Sequence, residues 1–164
     1  MKPIFASLLG LGLASAALAE GITPDRLYVP LASYHHNIDP PAASGMNSWN
    51  EFNPGLILTW EDRFATLDYS AGLFLNSYDD VSPMVSVGKL WDVGQVSLGA
   101  TVMFADYGDN ARFFDNTVAG SDIVFLPAFQ VNYRNVFAQV IPAPQSNGDT
   151  GAVFTAGMTF ALGQ

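Results

Sequence analysis

Three stretches of this chain alternate apolar residues with polar or small ones at a strict period of two. Over residues 65–75, Leu67, Tyr69, Ala71, Leu73 and Leu75 interleave with Thr66, Asp68, Ser70, Gly72 and Phe74. Residues 96–104 set Val96, Leu98, Ala100, Val102 and Phe104 against Ser97, Gly99, Thr101 and Met103. Residues 152–162 set Ala152, Phe154, Ala156, Met158, Phe160 and Leu162 against Val153, Thr155, Gly157, Thr159 and Ala161. Successive side chains of a strand point to opposite faces, so alternation of this length predicts strands with one greasy face, not helices.

Less regular segments at 26–35, 55–60, 83–91, 123–132 and 136–141 bring the predicted strands to eight, an even number that can close antiparallel. Short turns at 61–64, 92–94 and 133–135 alternate with long connections at 36–54, 76–82, 106–122 and 142–151. That alternation is the pattern of outer-membrane barrels, whose short turns face the periplasm and whose long loops face outward. Backbone in hydrocarbon must be fully hydrogen-bonded, and a closed sheet achieves this without an edge. The expected fold is all-β, an eight-stranded antiparallel transmembrane β-barrel. A soluble lipocalin-like barrel has the same strand number, with the greasier face inside. Tyr28, Trp60 and Trp91 fall near predicted strand ends on the periplasmic side, where amphipathic rings settle at headgroup level. Ordinary aromatic packing at turns is the other reading of them.

Composition narrows the function classes. Hydrophobic residues make up 49% of the chain and charged ones only 13%, more apolar surface than a small exported core can hide. Beyond the N-terminus no apolar run reaches the ~18 residues of a membrane helix. With no cysteine and two histidines, disulfides and thiolate metal sites are excluded and no metal or other cofactor is expected. A net charge of −9 with six Lys and Arg argues against nucleic acid, because phosphate binding needs clustered cations. Lys2, the apolar run 4–17 and the small-residue exit Ala17-Leu18-Ala19 read as a signal peptide over 1–19. The mature barrel domain is then 20–164, exported to the outer membrane of a Gram-negative bacterium as a monomer, with membrane lipids as its partners.

In this topology His35, His36, Asn76 and Ser77 all reach the outward rim. A histidine near a serine can act as general base on a hydroxyl, the elementary unit of acyl transfer. Equally, Ser and Asn begin loops for turn-forming reasons, and a loop histidine can be merely solvated.

The same residues carry a family resemblance. Leu27-Tyr28-Val29-Pro30 leading to Tyr34-His35, Trp49-Asn50-Glu51 followed by Pro54 and Gly55, and Phe74-Leu75-Asn76-Ser77-Tyr78 occur in order. Pro83, Gly88, Leu126-Pro127 and Ile141-Pro142 continue the series. Over nearly the whole mature chain it resembles the outer-membrane lipid A palmitoyltransferases, also called lipid A acylation proteins, as a divergent member. The resemblance implies His35 and Ser77 in catalysis, with Asn76 where the family has aspartate. Aspartate would hold the imidazole tautomer and stabilise imidazolium, whereas asparagine keeps only a hydrogen bond. It also implies that Pro30, Pro54, Pro127 and Pro142 loosen strand pairing and admit lipid from the side.

By alternation Ile57, Phe74, Met103, Leu126, Phe137 and Val153 point inward, either lining an acyl well or simply plugging a barrel of this size. Gly88 stands where the family has the floor of its well; otherwise it is a strand glycine placed for curvature. The expected activity is transfer of a palmitoyl-type chain from a phospholipid to a hydroxyl of lipid A. His35 would be the base, and Ser77 either the nucleophile or a hydroxyl that positions substrate. The alternative is a non-enzymatic small barrel with a structural or surface-interaction role. A lipid deacylase is weaker still, since no histidine follows His36.

Overall fold

The computed structural model describes residues 23–144 and 150–162; the expected signal peptide lies outside them, as does 145–149 in the last long connection. Eight strands form one closed barrel in sequence order, each antiparallel to the next, with β8 returning to β1. They are β1 (Arg26–His36), β2 (Gly55–Trp60), β3 (Asp68–Leu75), β4 (Val81–Val93), β5 (Val96–Asp106), β6 (Ile123–Tyr133), β7 (Val136–Pro144) and β8 (Thr150–Ala161). Short 3₁₀ turns at Ala42–Ser44, Phe64–Thr66 and Gly108–Phe113 are the only helical elements among the described residues. No helix there is long and apolar enough to cross a membrane.

The period-two pattern sorts side chains as expected. Outward residues are apolar and open to the surroundings: Phe129 is 62% exposed, Leu56 58% and Leu73 52%. Their inward neighbours Leu126, Ala128, Gln130 and Asn132 on β6 are buried. A sheet whose greasy side faces out is the inverse of a soluble barrel.

Inward phase on β1 changes at a bulge. Pro30 pairs with Gly157 and Ala32 with Ala156, so Leu31 is the extra residue. Arg26, Tyr28 and Pro30 line the interior on one side of it, Ser33 and His35 on the other. One inserted residue flips every later side chain to the opposite face. It is this flip that turns His35 inward and leaves His36 exposed.

Two expectations need correcting. Strand three begins at Asp68, not at residue 65, because Ala65 and Thr66 adopt positive φ (58° each), which no strand accommodates. Asp68 closes that corner by accepting the amides of Asp62 (2.9 Å) and Leu90 (3.1 Å). The β2–β3 connection at 61–67 is therefore longer than the β3–β4 connection at 76–80, and the alternation of short and long fails at this one place. Tyr28 is not a headgroup-level ring. It is buried inside the barrel, edge-on to Phe137 at 5.1 Å, and its hydroxyl accepts from Asn132 Nδ2 at 2.7 Å. Trp91 does face outward, 60% exposed.

Candidate functional site

A cavity of about 1020 Å³ runs along the barrel interior. Ile57, Phe74, Met103, Leu126, Phe137, Val153 and Gly88 all line it. Its half nearer the long connections is apolar, walled by Ile57, Phe74, Met84, Met103, Leu126, Ile141 and Val153. On one side of its wall a chain of hydrogen bonds links β8, β7 and β6 to Tyr28 of β1. Thr155 Oγ1 donates to Gln139 Oε1 (3.2 Å), Gln139 Nε2 to Gln130 Oε1 (2.6 Å), Gln130 Nε2 to Asn132 Oδ1 (2.8 Å) and Asn132 to Tyr28. Polar groups satisfied by one another in this way are stable on a cavity wall. A Cβ at Gly88 would come within 2.6 Å of the Ala100 carbonyl oxygen. The close approach of β5 requires glycine at that position independently of any ligand.

The wall has a gap. β6 and β7 pair only from Phe129 with Val140 to Tyr133 with Val136. Beyond that, Pro127 and Pro142, which lack an amide hydrogen, flank an unpaired stretch. The β5–β6 connection folds back and covers the first part of β6, where the Phe125 amide donates to the Asn116 carbonyl at 2.9 Å. That leaves Leu126, Pro127 and Ala128 opposite Ile141, Pro142 and Ala143 without ladder hydrogen bonds, all six lining the cavity and Leu126, Ala128 and Ile141 buried in one cluster. β1 and β2 likewise pair only over Arg26–Tyr28 before Pro30 interrupts them. They rejoin at the Ala32–Phe52 bridge, with Pro54 on the facing side; Pro30 lines the cavity and Pro54 does not.

At the rim, His35 stacks on Trp49 with ring centroids 4.5 Å apart and planes inclined by 15°. Trp49 is held by its indole N–H on the Ile38 carbonyl (2.7 Å) and by Tyr78 edge-on at 5.1 Å. Tyr78 in turn stacks on Phe113, so three outward connections share one aromatic roof. Burial pushes the Tyr78 hydroxyl up to about 12, which keeps it neutral. His35 Nδ1 is shut off from solvent and meets no hydrogen-bond partner. A buried ring nitrogen without a protein partner is a position that another polar group can satisfy.

Ser77 sits in a second cluster beside this stack. Its Oγ lies 3.5 Å from Ser33 Oγ and 3.5 Å from Asn53 Nδ2, while Ser33 Oγ donates to Asn53 Oδ1 at 2.5 Å. Among the described residues no hydrogen bond joins His35 to Ser77. Sequence reasoning did not single out Trp49, Ser33 or Asn53 as site residues. Ser33 had a signal, since it shares His35's face two residues away.

Asn76 is placed differently from an imidazole partner. It is 1% exposed; its Nδ2 donates to Ser82 Oγ (2.9 Å) and its Oδ1 accepts the amides of Tyr78 (2.8 Å) and Asp80 (3.2 Å). All three bonds lie in the β3–β4 corner. Ser82 already gives its proton to the Asp106 carbonyl, at 2.5 Å. In Asn76→Asp the carboxylate would face a hydroxyl with no proton left to donate. We expect that variant to lose ~1–3 kcal/mol of stability, measured by urea unfolding.

Among the described residues no three His, Asp or Glu side chains gather as a metal site. No family model matches the sequence, and no curated protein matches it.

Proposed function

We propose that this barrel resides in the bacterial outer membrane and transfers a palmitoyl-type acyl chain from a phospholipid to a hydroxyl of lipid A. The observation that carries the reading is the apolar part of the cavity, which lies against the stretch where β6 and β7 carry no ladder hydrogen bonds and reaches His35 and Ser77. A lipid chain could slide from the bilayer into such a well without leaving apolar surroundings, its ester remaining at the polar rim. The outward faces of the strands, apolar over their middle with His36 near a strand end, favour a lipid setting.

In the reaction, His35 takes the proton of the lipid A hydroxyl as its oxygen adds to the ester carbonyl. The tetrahedral intermediate collapses, the bond to the glycerol oxygen breaks, and the imidazolium returns the proton to that oxygen. A lysophospholipid leaves. Ser77 serves as a polar hydroxyl at the carbonyl. A second reading, a barrel without catalysis, draws on Asn76, whose amide is committed to its own corner and leaves the imidazole without a carboxylate. Incubating the purified protein in detergent with lipid A and a phospholipid labelled in its acyl chain separates the two. Label moving into lipid A is expected; label released only as free fatty acid, or not moved at all, contradicts acyl transfer.

A further inference from the structure

The surroundings of the Asn53 side-chain amide fix its orientation. Nδ2 lies 3.3 Å from the Asn50 carbonyl oxygen, which only a donor can meet. Oδ1 therefore faces Ser33, whose hydroxyl donates to it at 2.5 Å. With that proton committed, Ser33 Oγ can only accept from Ser77. The other Nδ2 proton of Asn53 is directed at Ser77 Oγ. Ser33 is 8% exposed and Asn53 7%, so water does not compete for these bonds. The donations run from Ser33 to Asn53 to Ser77, and without substrate the Ser77 proton turns back to Ser33 Oγ, the weakest link of the ring at 3.5 Å and the one proton in it that a group in the cavity can draw away.

We propose that Ser33 and Asn53 are positioning residues that make the Ser77 hydroxyl a donor aimed at the acyl carbonyl oxygen; the proposal rests on the acyl-transfer reading above. A hydroxyl that accepts a hydrogen bond is polarised into a stronger donor. As the lipid A oxygen adds to the ester carbon and its proton passes to His35, negative charge gathers on the carbonyl oxygen. The Ser77 O–H donates to that oxygen without breaking, and the contact weakens again as the glycerol oxygen leaves with the returned proton. For Ser77 to donate to the ester, its 3.5 Å contact to Ser33 gives way while the 3.5 Å contact from Asn53 Nδ2 shortens.

The test measures kcat and KM for the phospholipid donor, across pH, with the mature protein in detergent and lipid A as acceptor. Asn53→Ala is expected to lower kcat about 10²-fold with KM little changed. Ser33→Ala, which removes only the first bond of the relay, is expected to lower it about 10-fold. Asn53→Asp is the sharper variant, since it preserves shape. Its carboxylate accepts from both hydroxyls and turns the Ser77 proton away from substrate, so at neutral pH it should match Asn53→Ala. Once protonated, the carboxyl can donate to Ser77 again. The rate of Asn53→Asp divided by that of the wild type is therefore expected to rise as pH falls through the carboxyl range; the division removes the loss both share when His35 protonates. A pH-independent ratio, or Asn53→Ala at the wild-type rate, overturns the relay alone. A wild type that transfers nothing overturns the acyl-transfer reading and the relay with it.

Discussion

His35→Phe is expected to abolish acyl transfer while the barrel stays closed. The phenyl ring can keep the stack on Trp49, so the roof over the cavity is retained. What is lost is the nitrogen that takes the acceptor's proton, a contribution of about 10²–10⁴ in rate. The neighbouring residue is the control. His36 lies on the outward side of the β1 bulge, paired with Ala152, and His36→Ala should transfer at the wild-type rate. Folding is checked by the gel shift between heated and unheated samples, which closed barrels give. Transfer that survives His35→Phe and disappears in His36→Ala would mean that the inward phase of β1 is wrong by one residue.

The second large effect concerns the outer wall. Phe129 lies on β6, paired with Ala100 on one side and Val140 on the other, and its ring is 62% exposed. If that exposure is to lipid, Phe129→Arg places a cation in hydrocarbon and should cost ~2–4 kcal/mol, falling off for sites nearer the barrel ends. On a water-facing surface the same change would stay within ~0.5 kcal/mol. Urea unfolding of wild type and variant in phospholipid vesicles reads the difference directly. A near-neutral result would place this face in water and remove the membrane from the account.

The strand pattern was legible because alternation reports one thing reliably, which side of a strand is greasy. It gave eight strands in their order, and on β3, β5 and β8 it gave the inward and outward faces. It could not see backbone dihedrals, so Ala65 and Thr66 were read as strand although their positive φ ends it. It also could not see the bulge at Leu31. Tyr28 and His35 both face inward, seven positions apart, which unbroken period-two alternation forbids; the change of phase is visible only in the pairing of β1 with β8. For Tyr28 a strand-end aromatic was assigned to the headgroups, where a buried hydroxyl partner, Asn132 at 2.7 Å, proved decisive.

The site was legible in outline. The rim residues and the apolar inward positions come from alternation and topology, and the prolines beside the β6–β7 gap from the resemblance. The hydroxyl cluster was not legible, since Ser33, Asn53 and Ser77 come from three parts of the chain and meet only through register. Asn76 shows the opposite limit. A family position suggested an imidazole partner, but a side chain with three bonds inside one corner is explained by that corner.

Mass spectrometry of lipid A extracted from otherwise identical Gram-negative cells, with and without this protein in the outer membrane, tests the central claim most directly. A lipid A species carrying one additional palmitoyl-type chain is expected with the wild type and not with His35→Phe. Lipid A of unchanged mass in cells where the folded barrel is abundant in the outer membrane would contradict it.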